Sequence, residues 1–280
     1  MATSEQLIIQ AAQDGNADVL QQLIPLVDTS AHNEALMWAA RQGHPQCVRI
    51  LLEVAQPTAD NNMAVRWAIK NDCIDCVKLL LPVSDLLRPD GGIDDMVGIA
   101  AASESEQSLK ILLAIFPDRS YNQALQMSAY KGRTRSVKLL ISQSNPDDYG
   151  PLLTMAAQNG HTSCVAFLTT VCTDLSDYNH AFVVAARKGN QRCVQLLLNK
   201  VDPKDNNSAA LREACEWGQH GCIDLLAPVS DVHCVLQQLQ AENPQYPKCW
   251  EYLEQKICEQ QKQTLLSHIS NTHCPAARKL

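Results

Sequence analysis

The sequence predicts an all-α solenoid of eight to nine helix-turn-helix repeats, and three observations carry that reading. A small-residue pair recurs with its first member at Ala11, Ala39, Ala68, Ala100, Ser128, Ala156, Ala185 and Ala214, and in a worn form at Ala241. The spacings of 28, 29, 32, 28, 28, 29, 29 and 27 residues are the near-constant period of stacked supersecondary units. Gly15, Gly43, Gly132, Gly160, Gly189 and Gly218 stand four residues past their pairs, where a left-handed residue closes a helix without a Cβ penalty. An apolar residue nine on from the pair, with leucines three later, starts a second apolar stripe at helical spacing.

Within each repeat the first helix is expected to begin at a short polar residue six before the pair: Asn33, Asn62, Asn122 and Asn179, with Asp94 and Ser208. Such side chains accept from the open N–H groups of a helix start. Apolar residues three before the pair, from Leu36 and Val65 to Phe182 and Leu211, complete one buried stripe. The second helix follows the glycine at once, as in HPQCVRILLEV and NQRCVQLLLNK, and stops near Pro25, Pro57, Pro82, Pro117, Pro203 or Pro228. Isolated helices this short are marginal in water, so the repeats must hold one another. Residues 1–231 read as repeats, with one longer link before Ala100 carrying RPDGGIDD at 88–95. Cys249, Trp250, Leu253, Ile257, Leu265 and Ile269 continue the pattern through a degenerate last repeat and capping helix at 232–270. A frayed tail is expected from 271.

Composition narrows the function. A net charge of -7 and 5% aromatics do not suit the chain as a whole to nucleic acid or an anionic membrane. No apolar run reaches the roughly 18 residues of a membrane span, and MATSEQLIIQAAQDG lacks a basic leader, so a cytoplasmic, monomeric protein is expected. Of twelve cysteines, Cys47, Cys76, Cys164, Cys193, Cys222 and Cys249 lie eight past their pairs. Equivalent positions on packed helices are about 8–10 Å apart, too far for a disulfide. They read as small, reduced core residues.

Catalytic and metal motifs are weak. His44 and His161 follow the turn glycine, where a turn contact is the plain reading, and neither has a triad partner. CIDC at 73–76 has ligand spacing but no second pair. Cys258, His268, His273 and Cys274 form only a loose C-terminal set. No phosphate loop, HExxH or GxSxG is present, so no cofactor, metal or catalytic residue is assigned.

The segments ALMWAARQGHPQCVRILLE and AFVVAARKGNQRCVQLLLN resemble the core of the ankyrin repeat, and the likeness runs over nearly the whole chain. The family's period is 33, so four to five residues are missing between repeats. The TPLH opening is also absent. The resemblance therefore implies an ankyrin-type solenoid with reduced or absent β-hairpin fingers. It also implies a non-catalytic scaffold that binds a partner protein on its concave face, through the two residues between pair and glycine.

In this sequence those concave positions include Arg41, Lys70, Tyr130, Lys131, Arg187, Lys188 and Trp217. The set is net basic on an acidic chain, which suggests an acidic partner. Trp38 and Trp67 take a position where the family has leucine, and core packing is the simpler account of them. Aromatics beside arginine also anchor interfaces, so Trp38, Trp67, Arg41, Arg66 and Lys70 form the best candidate hot spot, which Tyr130 and Lys131 extend. Nucleic-acid binding along the basic stripe, or a metal-binding or enzymatic C-terminal segment, are the alternatives. A cysteine-rich chain of short ankyrin repeats is also similar to effectors that intracellular bacteria secrete into host cells, with Glu251, Glu254 and Glu259 resembling the acidic block of a secretion signal.

Overall fold

The computed structural model describes residues 2–87, 92–117, 119–144, 149–242, 251–259, 261–262 and 266. Helices alternate between the first and second member of each repeat. In the first four repeats they are α1 (Ser4–Asp14) and α2 (Ala17–Leu23), α3 (Thr29–Gln42) and α4 (Pro45–Leu51), α5 (Ala59–Lys70) and α6 (Ile74–Leu80), α7 (Ile93–Ser103) and α8 (Glu106–Ile115). The series continues with α9 (Asn122–Lys131) and α10 (Thr134–Ser144), α11 (Gly150–Gln158) and α12 (Thr162–Val171), α13 (Leu175–Lys188) and α14 (Gln191–Leu197). It ends with α15 (Asp205–Glu216) and α16 (His220–Leu226), then α17 (Val232–Glu242). No strand occurs among the described residues, and repeats join through tight turns such as the 3-10 segments Ile24–Leu26 and Leu81–Val83. The expected all-α repeat architecture without hairpin fingers is met. No described helix is long and apolar enough to cross a membrane.

The helices form two compact units, Met1–Asp147 and Asp148–Leu280. In the first, odd-numbered helices α1 to α9 pack in succession and α2 to α10 form a second layer. In the second, α11, α13, α15 and α17 stack likewise beside α12, α14 and α16. The small-residue pairs lie in the core: Ala39, Ala40, Ala68, Ala185 and Ala214 are fully buried, as are Leu36, Leu51, Val65 and Leu211. Cys249, Trp250, Leu265, Ile269, the 88–91 part of the longer link and the tail from 271 lie outside the described residues.

The helix starts depart from expectation. Asn33 and Asn179 lie inside α3 and α13, which begin earlier, at Asp28 and Asp174, whose carboxylates accept from Ala31 and Ser176 N–H. Asp94 and Asn122 lie in the first turns of α7 and α9, behind Gly92 and Tyr121. Asn62 and Ser208 are buried within α5 and α15, in left-handed backbone. The side chains six before the pair serve instead to join repeats. Asn33 Oδ1 accepts from Gln56 N–H at 2.7 Å and Ser208 Oγ from Asp231 N–H at 2.9 Å. Asn62 donates to the Asp85 carbonyl at 3.0 Å and accepts from its N–H at 3.2 Å. Each bond spans 23 residues. A turn backbone that would otherwise be left unpaired is worth more to satisfy than a helix start open to water.

A second set of bonds closes the other end. The last carbonyls of an α-helix have no intrahelical donor, and here the following repeat supplies one. His44 Nε2–H donates to Gln13 at 2.9 Å, Ser105 Oγ–H to Lys70 at 3.2 Å, Arg133 Nε–H to Ala102 at 3.0 Å and Asn190 Nδ2–H to Ala157 at 2.7 Å. That approach explains the turn glycine twice over. Gly15 has φ +73°, and a Cβ there would come within 2.6 Å of His44 Nδ1. Asp72 (φ 53°) and Glu104 (φ 59°) hold the same left-handed position without being glycine. Glu104→Gly should therefore raise the melting temperature, by about 0.5–1 kcal/mol of stability, whereas Glu104→Ala should not.

The five described slot cysteines, Cys47, Cys76, Cys164, Cys193 and Cys222, are buried free thiols. Burial pushes Cys76 up to about 12 and Cys164 and Cys222 up to about 11, so little nucleophilic thiolate forms near neutral pH. A brief pulse of thiol reagent at pH 8, read by peptide mass spectrometry, should modify exposed Cys258 and spare those five. Rapid loss of Cys164 or Cys193 from the folded protein would contradict their role in packing.

Candidate functional site

On α3, Trp38 and Arg41 are three residues apart and share a face, and on α5 Trp67 and Lys70 repeat the arrangement. The stacking of α3 on α5 then sets one pair beside the other. The Arg41 guanidinium lies 4.7 Å from the centre of the Trp38 ring and 4.4 Å from that of Trp67, and Lys70 Nζ lies 4.5 Å from Trp67. Indole, guanidinium, indole and ammonium thus alternate along the face, each cation held by the negative face of a ring. Asn71 donates to the Arg41 carbonyl at 2.6 Å and fixes the end of α3 against α5.

Both indoles are half-buried. Neither belongs to the fully buried core, which beside them is made by Ala39, Ala40, Ala68 and Ile69; they cover its edge. Neither Arg41 nor Lys70 meets a carboxylate among the described residues. Arg66 differs, since it pairs with Asp95 on α7 at 2.9 Å. Between α5 and α7, which pack less closely than neighbouring first helices, opens a groove of about 300 Å³ floored by Met63, Trp67, Ile99 and Ala102. Tyr130 and Lys131 are exposed on α9, the next first helix beyond α7.

The second unit contains the same structural positions with other chemistry. Residues 29–85 correspond to 175–231 at a constant offset of 146, with identities at Arg41 and Arg187, Cys47 and Cys193, Cys76 and Cys222, and the exit PVSD at 82–85 and 228–231. Trp67 corresponds to Glu213 and Lys70 to Glu216. Arg187 accordingly donates twice to Glu213, from Nε and Nη2, both at 2.8 Å. Those hydrogen bonds hold the Glu213 carboxyl below the usual carboxylate range. Lys188 Nζ lies 5.9 Å from the ring of exposed Trp217. Of the basic positions, Arg187 is therefore answered by an acid in the second unit, whereas Arg41 and Lys70 meet none among the described residues of the first.

The structure thus unites Trp38, Arg41, Trp67 and Lys70, sets Arg66 beside them in an ion pair, and places Arg187, Lys188 and Trp217 in the other unit. Asp95 and Glu213 went unnoticed in the sequence. Glu213 had a readable signal, an acid just before the pair one repeat after an arginine two past it. Cys76 is core and Cys73 packs on Gly43; no group of three metal-ligating side chains gathers among the described residues. His268, His273 and Cys274 lie outside them.

A family model described as ankyrin repeats, in three copies, matches residues 8–90 and 153–237, more than half of the chain. The two matched segments contain the two sets of equivalent positions compared above. No curated protein matches the chain.

The Arg187–Glu213 pair has a pH signature. A carboxyl depressed by folding contributes stability above its unfolded value, near 4.5, and that contribution is lost as pH falls through the folded value. Arg187 is 40% exposed, so the gain is of surface-pair size, about 1 kcal/mol or less. Thermal melts from pH 7 to pH 3 should show a smaller acid-side loss in Glu213→Gln than in the parent protein.

Proposed function

We propose that this chain, which belongs to the ankyrin-repeat family, binds a partner protein through the first-helix face of its first unit and performs no chemistry of its own. Ankyrin repeats are general protein–protein interaction modules. The observation that carries the reading is the contrast between two equivalent arginines: Arg187 is satisfied by Glu213, while Arg41 lies between two indoles with no acid. Desolvated aromatic and arginine side chains of this kind dominate binding energy in interfaces. The contacting surface of the partner is acidic. A nucleic-acid partner is less well supported, because Arg187 is already paired with Glu213, and steep salt dependence would be its mark.

The same reading treats residues 232–270 as the cap of the second unit, and a monomeric chain as the acting form. Tyr252 Oη–H donates to Asp224 on α16 at 2.9 Å, and Lys256 pairs with the same carboxylate at 3.0 Å, which supports a docked cap. Action as an effector inside a host cell is carried by the family resemblance alone. Glu254 accepts from Gln240, and Glu259 pairs with Lys256, so two of the three acids once compared with a secretion signal serve contacts of the C-terminal segment.

The test is charge reversal. Arg41→Glu with Lys70→Glu gives up the contacts of half-buried Arg41 and of Lys70 with the indoles, so a modest stability loss of about 0.5–1 kcal/mol per cation is expected, with the fold retained. Binding of a captured partner should weaken at least tenfold. Trp67→Ala should cost roughly 2 kcal/mol or more of affinity, with a smaller stability loss than the roughly 3–5 kcal/mol of a fully buried ring. Unchanged affinity in both variants would remove the site from this face.

A further inference from the structure

We infer that the face of α3, α5 and α7 recognises a linear segment of the partner in which a carboxylate side chain, Asp or Glu, lies within a few residues of a large apolar side chain. The inference deepens the reading of this face as a protein-binding site and rests on it. Two neighbouring subsites specify the segment, and Trp67 is common to both. At the first, Arg41 lies between the rings of Trp38 and Trp67. A guanidinium stacked against rings offers ligands its planar N–H edge. The ligand suited to that edge in this architecture is shown one unit later. There Glu213, at the position of Trp67, takes two parallel N–H···O bonds from the equivalent Arg187. The first unit has the fork without the acid, so the acid must come from outside.

The second subsite is the groove of about 300 Å³ between α5 and α7. Its volume is at the lower end of the range for small-ligand pockets and accommodates one leucine- or phenylalanine-sized side chain. Its lining is apolar at Met63, Trp67, Ile99 and Ala102 and polar at Ser103, Arg66 and Lys70. Arg66 is answered by Asp95, whereas Lys70 lies over Trp67 with no acid. A segment that sets an apolar residue in the groove therefore carries its acidic neighbour past Trp67 to Arg41, with Lys70 adding attraction. In an extended segment alternate side chains share a face at roughly 6.5–7 Å, which is the scale of one residue on each side of an indole.

The test uses the full chain and fluorescein-labelled ten-residue peptides built on a Gly/Ser background. Each carries Glu, Gln or phosphoserine placed one to three residues from Leu or Ser, in both orders, and binding is read by anisotropy. The best Glu/Leu peptide is expected to bind at least tenfold more tightly than its Gln/Leu and Glu/Ser counterparts. Arg41→Lys should reduce the preference for Glu over Gln several-fold, because lysine retains the charge but not the fork. Ala102→Leu, which fills the groove, should abolish the preference for Leu and leave that for Glu. Absence of binding by every peptide, or equal binding of Glu/Leu, Gln/Leu and Glu/Ser, would overturn the inference. So would a tenfold preference for phosphoserine, which would assign the fork to phosphorylated segments. If peptides bind without these preferences but lose binding in Trp67→Ala, the specificity falls while the face as a binding site survives. Loss of neither peptide nor partner binding in that variant would overturn both.

Discussion

Every repeat in this protein depends on backbone groups that it cannot satisfy itself. Helices of seven to fourteen residues gain too little from their own hydrogen bonds to persist in water, and each leaves unpaired carbonyls at its end. The adjacent repeat resolves both problems. His44, Ser105, Arg133 and Asn190 reach back to the last carbonyls of the preceding first helix, while Asn33, Asn62 and Ser208 hold the backbone of the turn that follows. These bonds run between adjacent repeats that also bury their small-residue pairs. Stability is consequently a property of neighbours, as in other repeat arrays.

That constraint also positions the site. Because the alanine pairs bring first helices into close contact, residues just before and two past the pair fall alongside their equivalents on the next helix. Trp38, Arg41, Trp67 and Lys70 occupy those positions on α3 and α5, and no loop or cofactor is needed to bring them together. A side chain too large for the pair itself has only the edge of the core to cover. The indoles accordingly pack below and offer their rings to cations above.

The two units show how little must change for such a face to open or close. With Glu213 in the place of Trp67, the equivalent arginine turns from stacking to a bidentate ion pair. One unit satisfies its guanidinium with an acid, and in the other the guanidinium lies against two indoles. Chemistry on this scaffold is thus decided by a few surface residues on a core that stays the same, which is why fold and function separate in repeat proteins.

Much of this was legible in the sequence because it is periodic. The spacing of small pairs and glycines determined the helix pairs, their order and the burial of Cys47, Cys164 and Cys193, since a residue on the core side of one repeat is on the core side of all. The candidate residues Trp38, Arg41, Trp67 and Lys70 came from the contact positions that the ankyrin resemblance implies and from the nearness of aromatic residues to cations in the sequence. Only the tertiary structure decided what each side chain meets. Asn33 and Asn62 read locally as helix caps, yet their partners lie 23 residues away. Arg66 and Arg187 read as open cations until Asp95 and Glu213 arrive from the neighbouring helices. The groove beside Trp67 exists because α7 packs loosely on α5. Periodicity specifies which way a side chain faces, but its charge balance and hydrogen bonds depend on distances across the stack, and those are set by packing.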